Sequence, residues 1–289
     1  MTTESFDHIP VLAKEVLDGL ALRPGHRVLD GTVGLGGHAK LMLAVTSPNG
    51  ELVGFDRDDR NLLVAKERCA EFGDRVTFIH DSFSSIGTRD IGTYDAMLFD
   101  LGFSSVHVDD ASRGFSFMKD GPLDMRYDTR QELSAEVIVN TWTRDDLTTI
   151  FRRFGEDPRS PIIAKAIVDA RRSMRIDTTY QLAEIVASVV PRQGKIHPAT
   201  RIFQALRIVV NDELGEMERG LTAALGKLNP GGRCAVITFH SLEDRLVKNL
   251  FKTQQGLVHI TKKPIIVTDE ETKANPRSRS AKLRIVQKI

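Results

Sequence analysis

Val28-Leu29-Asp30-Gly31-Thr32-Val33-Gly34-Leu35-Gly36-Gly37-His38 runs from a β-prone apolar stretch, through a glycine-dense segment, into a run with helical spacing. Glycine accepts left-handed backbone and lets a ligand approach the main chain, and the N-terminus of the following helix offers free N–H groups. Strand, glycine loop and helix in that order predict the opening unit of a parallel α/β sheet. The flanking sequence repeats the alternation. Further β-rich runs lie at 52–56, 76–80 and 96–101, with 27–30 as the first, and helical patterns fill 37–45 and 59–72. An amphipathic segment at 11–20 precedes them.

Beyond the fourth strand the alternation stops. From 106 to 214 the apolar residues recur at helical spacing, as in Ile162, Ile163, Ala166, Ile167 and Ala170. A loop rich in Gly, Asp and Arg, 109–127, comes first, and helices are predicted to start near Ser134, Asp145, Ser160, Thr178 and Pro198. The β signal returns at 234–239 after a turn, Asn229-Pro230-Gly231-Gly232. A helix at 242–251 and β-like runs at 257–261 and 283–286 follow. This pattern predicts an α/β domain built from 1–106 and 214–289, interrupted by a helical insert at 107–213. Insertions of that kind are tolerated at exposed loops.

A length of 289 residues suits one large domain or two modest ones. With 41% hydrophobic and 27% charged residues the composition is that of a globular protein, and no apolar run reaches membrane-spanning length. The start MTTESFDHIP lacks a secretory core, so a cytoplasmic location is expected. Two cysteines, Cys69 and Cys234, exclude a disulfide framework or a zinc cluster. Charge is unevenly spread. Positions 152–207 carry eleven Arg/Lys against five Asp/Glu, and 273–289 carry six basic residues and no acid, so the rest holds −11 within a total of +1. A polyanionic partner at two places accounts for this, as do solvated helix faces and a basic tail.

Asp56 closes the second strand, where an acid accepts hydrogen bonds from a ribose diol. Gly34-x-Gly36-x-x-Ala39 also fits the dinucleotide fingerprint. Asp30, however, would oppose a pyrophosphate and suits a ligand carrying an ammonium and a sulfonium. No lysine lies within the loop to neutralise a triphosphate. S-adenosylmethionine is therefore the favoured cofactor, ahead of a dinucleotide and of a glycine turn that binds nothing. After the third strand, Asp81 and Phe83 fall where an adenine would sit, and Phe83 serves equally well as a core aromatic.

The fourth strand ends in Leu98-Phe99-Asp100-Leu101-Gly102-Phe103-Ser104-Ser105. Ligands bind outside the carboxyl ends of such strands, which places Asp100 at the chemistry or makes it a turn cap. An exocyclic amine on a pyrimidine ring is a poor nucleophile because its lone pair is delocalised. An acceptor on its N–H pushes the nitrogen toward sp³, and orientation then supplies most of the acceleration. Methylation at carbon 5 would instead need a cysteine nucleophile, and neither Cys69, in a helical pattern, nor Cys234, in an apolar strand, is suitably placed.

Several segments together carry a family resemblance. They are His8-Ile9-Pro10-Val11-Leu12, the glycine loop through His38, Asp100-Leu101-Gly102 with Ser104-Ser105, Arg113-Gly114-Phe115-Ser116-Phe117 and Gly121-Pro122-Leu123-Asp124-Met125-Arg126. His197-Pro198-Ala199-Thr200-Arg201, Phe239-His240-Ser241-Leu242-Glu243-Asp244-Arg245 and Asn275-Pro276-Arg277-Ser278-Arg279-Ser280 complete the series. Over nearly the whole chain the sequence resembles the bacterial methyltransferases that N4-methylate a cytidine in the decoding centre of small-subunit ribosomal RNA. That resemblance implies a Rossmann-like S-adenosylmethionine-dependent methyltransferase fold with an inserted all-helical substrate-recognition domain. It implies 16S ribosomal RNA within the small subunit as partner and no metal. It also implies cofactor contacts by Gly36, Gly37, His38, Asp56, Phe83 and Asp100, with Asp100 catalytic. The family usually carries a Gln shortly after the serine pair. Here His107 stands there as a candidate cofactor contact, with Val106 for the usual Pro and Phe103 and Tyr127 as further departures. His197 and His240 read as RNA-positioning or structural residues. The insert's arginines and the run Arg277, Arg279, Lys282 and Arg284 read as phosphate contacts. A small-molecule methyltransferase and a non-enzymatic ribosome-assembly factor are the rival readings, and the sequence leaves a homodimer open.

Overall fold

The computed structural model describes residues 10–101, 110–192, 194 and 197–289. The chain divides into two compact units, Met1–Gly102 with Leu214–Ile289, and Phe103–Glu213. The domain boundary expected at 106/107 lies outside the described residues.

The first unit opens with α1 (Ala13–Leu20), β1 (Arg27–Asp30), α2 (Gly37–Val45), β2 (Glu51–Asp56), α3 (Asp59–Arg68), β3 (Val76–His80) and β4 (Tyr94–Asp100). Asp58 caps α3 by accepting the Arg60 amide. This helix stops at Arg68, short of the predicted 72. A 3₁₀ segment, Ala70–Arg75, follows and contains Gly73 at φ 54.

The second unit holds α4 (Ala135–Thr141), α5 (Arg144–Gly155), α6 (Ser160–Ala170), α7 (Thr179–Val189) and α8 (Thr200–Val210). Thr143 with Asp146, and Thr178 with Gln181, form capping boxes that fix the starts of α5 and α7. Apolar faces close on a core that includes Ile138, Phe151, Ile163, Leu182, Val186 and Leu206. The preceding Gly/Asp/Arg-rich loop is built into this unit. Gly114 sits at φ 71, where a Cβ would lie 2.1 Å from the Pro122 carbonyl oxygen. Arg113 donates to the carbonyls of Arg126 and Tyr127, and Asn211 donates to Met125 O while accepting the Tyr127 amide. Phe115 stacks on Tyr127 at 5.2 Å.

The chain then forms α9 (Glu213–Gly226), β5 (Leu228–Thr238), α10 (Ser241–Thr253), β6 (Leu257–His259), β7 (Ile265–Ile266), α11 (Asp269–Ala274) and β8 (Lys282–Lys288). The helix α9 is not predicted by the sequence pattern, because its three glycines weaken the helical signal. The predicted turn at 229–232 instead lies inside β5. Tyr94 pairs with Leu228 and Ala96 with Arg233, so those residues bulge out opposite β4, with Gly231 at φ 78. The basic end of the chain is likewise no tail, because β8 is an interior strand.

Strand order is β3-β2-β1-β4-β5-β8-β6, with β7 also on β8. The first five strands are parallel, and β8 runs antiparallel to its neighbours. Alternate residues feed opposite faces. Val28, Leu52, Leu98 and Ile237 pack with α1 and α2 residues, and Leu29, Phe55, Phe99 and Val236 pack with α9 and α10 residues. From β1 the chain moves outward to β2 and β3, then returns to place β4 on the other side. In open sheets of this kind ligands bind at that reversal, in the crevice beyond the carboxyl ends of the strands, here those of β1 and β4.

Candidate active site

Three strands end in aspartates at this crevice: Asp30 on β1, Asp56 on β2 and Asp100 on β4. The glycine loop is stitched between the tips of β4 and β2. Gly31 N donates to Leu98 O and Val33 N to Phe55 O, each at 2.9 Å. Gly34 N donates to Asp56 Oδ2 at 2.8 Å, and Asp100 N donates to Thr32 Oγ1 at 2.6 Å. A Cβ on Gly31 would lie 2.1 Å from the Phe99 ring, so the loop must be glycine there to cross β4.

Gly36, at φ 80, caps α2, and a Cβ on it would press on Ala65 of α3 at 3.0 Å. A Cβ on Gly37 would meet Pro10 at 2.7 Å. These two glycines thus bring α2 close to its neighbours. Gly34, at φ 54, has no described residue within 4 Å of where a Cβ would lie, so its main chain is open to approach on that side among the described residues.

Asp30 is 1% exposed. Its Oδ1 accepts the Thr32 amide at 3.1 Å, while its buried Oδ2 has no hydrogen-bond partner among the described residues. Burial pushes its carboxyl up to about 7, with the Asp100 and Asp56 charges adding to the effect against the Thr32 amide. Burial also raises Asp56, against hydrogen bonds from the amides of Asp58 and Gly34 and from Asn61. His38, buried in the first turn of α2, has Nε2 3.9 Å from Asp100 Oδ2. A site with three carboxyls and an unsatisfied buried oxygen is complementary to a cationic ligand and hostile to a phosphate.

Phe83 opens a 3₁₀ segment after β3, half-buried, with its ring edge-on to Phe99 at 5.5 Å. It also lies over Gly220 of α9, where a Cβ would come within 2.3 Å of the ring. Phe83 therefore has a packing role while the residue stays only partly buried. Asp81 pairs with Arg89. His107, the remaining cofactor candidate, lies outside the described residues.

His197 and His240 both make local contacts. His197 Nδ1 accepts the Ala199 amide, and its ring lies 4.7 Å from Phe117. His240 caps α10 by accepting the Glu243 amide, while Glu243 accepts the amides of Phe239 and His240. Both thiols are buried and both are pushed up by desolvation, Cys69 to about 11 and Cys234 further. Neither supplies a thiolate near neutrality.

The family is decided by comparison with known proteins. Residues 5–289 match the model of the MraW methylase family. The chain belongs to that family. It is an S-adenosylmethionine-dependent methyltransferase with a Rossmann-like fold. It is 50% identical to the ribosomal RNA small subunit methyltransferase H of Nostoc sp., over 98% of this chain and 93% of that one. It is 46% identical to the proteins of the same name from Symbiobacterium thermophilum and Geobacter sulfurreducens. Those matches cover 99% of this chain, and 98% and 100% of theirs.

The carboxyls fit this cofactor by charge: the Asp30 oxygen without a partner among the described residues would suit an ammonium, and the carboxyl cluster a sulfonium. The sequence marks Asp30 as suited to a cationic ligand, although the resemblance does not name it among the cofactor contacts, and neither gives Thr32 a role. Both also miss the bridge in which Ser82 and Arg57 both engage Glu216 of α9, the serine at 2.6 Å. Glu216 is distant in sequence from both partners, so no local pattern announces it.

Many basic residues read as phosphate contacts are committed elsewhere. Arg284 is buried and pairs with Asp244. Arg207 pairs with Glu213, Arg159 with Asp157, Arg175 with Glu136 and Asp177, and Arg171 donates to Val139 O. Arg152 and Arg153 of α5, and Lys273, Arg277 and Arg279, are exposed.

Proposed function

We propose that the enzyme methylates the exocyclic N4 of a cytidine in the decoding centre of small-subunit ribosomal RNA. The observation that carries the charge side of this reading is the Asp30 carboxyl, buried between Asp56 and Asp100 with one oxygen that has no partner among the described residues. Relatives near half identity over almost their whole length, named for small-subunit ribosomal RNA, support the substrate. Gly36, Gly37, His38, Asp56, Phe83 and Asp100 would hold the cofactor, with His107 as a further candidate. Asp56 takes the ribose hydroxyls, Asp30 the ammonium, and Phe83 borders the adenine. When bound, S-adenosylmethionine supplies an electrophilic methyl group on a cationic sulfur.

Asp100 accepts a hydrogen bond from the cytosine N4–H. This draws the amine toward sp³ and aims its lone pair, so the rate gain comes from orientation. The same carboxylate stabilises the positive charge that develops on nitrogen and takes up the proton that leaves. The high thiol pKa values support an amine target over ring-carbon methylation, which would need a thiolate nucleophile. Exposed cations of the helical unit and of the segment before β8 bind RNA phosphates, and the reactive base is taken out of its stack. A ribosomal substrate supports a cytoplasmic location.

Transfer of labelled methyl to small subunits, followed by nucleoside mass analysis, tests this. The expected product is N4-methylcytidine at one site. Label on a ring carbon, on another base, or on none would overturn the reading.

A further inference from the structure

The last ladder pair between β1 and β4 joins Asp30 to Leu98. Beyond it the chain leaves β1 for the glycine loop, and the Asp100 amide loses the main-chain acceptor that a continued strand would offer. Thr32 fills that place. Its Oγ1 accepts the Asp100 amide at 2.6 Å, while its own amide donates to Asp30 Oδ1 at 3.1 Å. On the other side of β4, Leu101 N donates to Ile237 O at 3.0 Å. The main chain at Asp100 is thereby held from both neighbours, once by backbone and once by a side-chain hydroxyl.

We propose that Thr32 is a positioning residue for methyl transfer, its hydroxyl fixing the end of β4 so that the Asp100 carboxylate faces the amine. One residue then ties the two halves of the site together, its amide to the carboxyl that answers the cofactor's ammonium and its hydroxyl to the acceptor for the substrate. The inference rests on the role assigned to Asp100.

The two bonds can be separated. Thr32→Val keeps the β-branched shape and the backbone amide to Asp30 but removes the oxygen, leaving the Asp100 N–H without its acceptor. Misplacing a reacting group by about an ångström costs on the order of 100-fold in rate. The Val variant is therefore expected to lower kcat on small ribosomal subunits by about 10- to 100-fold. Its Kd for S-adenosylmethionine should change by less than about threefold, since the amide contact survives. Thr32→Ser, which restores the oxygen, should recover most of the rate. Hydrogen exchange at the Asp100 amide should be slow in wild type and Ser and faster in Val. If the Val variant does not fold, Thr32→Ala is measured in the same way.

Equal losses in Ser and Val, or a Val variant with wild-type kcat beside an inactive Asp100→Asn, would overturn the positioning role alone. An Asp100→Asn variant at full rate would remove the Asp100 assignment, and the inference with it.

Discussion

Arg284 of β8 lies buried with Nε 2.7 Å from Asp244 Oδ1 on α10, and Nη2 reaches Asp244 Oδ2 at 3.2 Å. Partial burial raises the Asp244 carboxyl, but Arg284 and Lys282 outweigh it and hold it below its ordinary value. Breaking a buried pair strands the surviving charge, so Asp244→Asn or Arg284→Met is expected to cost about 3 kcal/mol of stability. The Asp244 contribution is present above the unfolded carboxylate pKa and is lost as pH falls through the lower folded value. Neither change should alter the salt dependence of RNA binding, whereas Lys273→Ala with Arg279→Ala should flatten its slope by about 1–2 at unchanged Tm. Binding titrations across salt concentrations, beside thermal melts, separate the two behaviours. A flattened slope in Arg284→Met would return that arginine to the RNA.

Asp30 has the opposite sign. Its folded carboxyl titrates near 7, well above an unfolded aspartate, so ionising it opposes folding. Without cofactor, Asp30→Asn should melt higher than wild type at pH 8, the gap closing as pH falls toward about 4. A cationic ligand favours the ionised form. Wild-type affinity for S-adenosylmethionine should therefore rise with pH through about 7, and the Asn variant should bind at least about tenfold more weakly without that rise. Calorimetry at pH 6 and pH 8 would decide it, and a flat wild-type profile would contradict the role given to Asp30.

Gly220 permits Phe83 to lie against α9. Gly220→Ala places a methyl group within 2.3 Å of that ring, and overpacking of this kind costs about 1–3 kcal/mol. A lower Tm together with weaker cofactor binding is expected. A lower Tm with unchanged binding would make Phe83 purely a core residue.

Replacing both cysteines, Cys69→Ala with Cys234→Ala, should leave the methyl-transfer rate within about threefold of wild type, because neither thiol is ionised near neutral pH. The change removes buried volume and should lower Tm. Loss of turnover in a folded double variant would revive a thiol mechanism.

Asp30, Asp56 and Asp100 were legible because each closes an apolar β-rich run, and the direction of a parallel strand fixes which end carries chemistry. Thr32 was visible within the motif but mute, since its partner's amide belongs to a strand 68 residues away. The helix α9 was hidden by Gly215, Gly220 and Gly226, although Gly220 is there to admit a ring from outside the helix. Asn229-Pro230-Gly231-Gly232 reads locally as a turn, but tertiary pairing absorbs it as a bulge in β5. The arginines of 152–207 illustrate the same limit. A count of charges cannot tell Arg207, clamped to Glu213, from Arg152, which faces solvent.

The interior position of β8 also has a consequence for synthesis. While the chain emerges from the ribosome, β4 waits with an open edge until the whole helical unit and α9 have been made, because its next neighbour is β5. Once β5 arrives, its far side waits in turn for β8, whose Lys282 pairs with Thr238 across a separation of 44 residues. An apolar strand with unpaired backbone is a template for wrong partners. The nascent sheet is thus most exposed to aggregation in the interval between the birth of β4 and the arrival of β8.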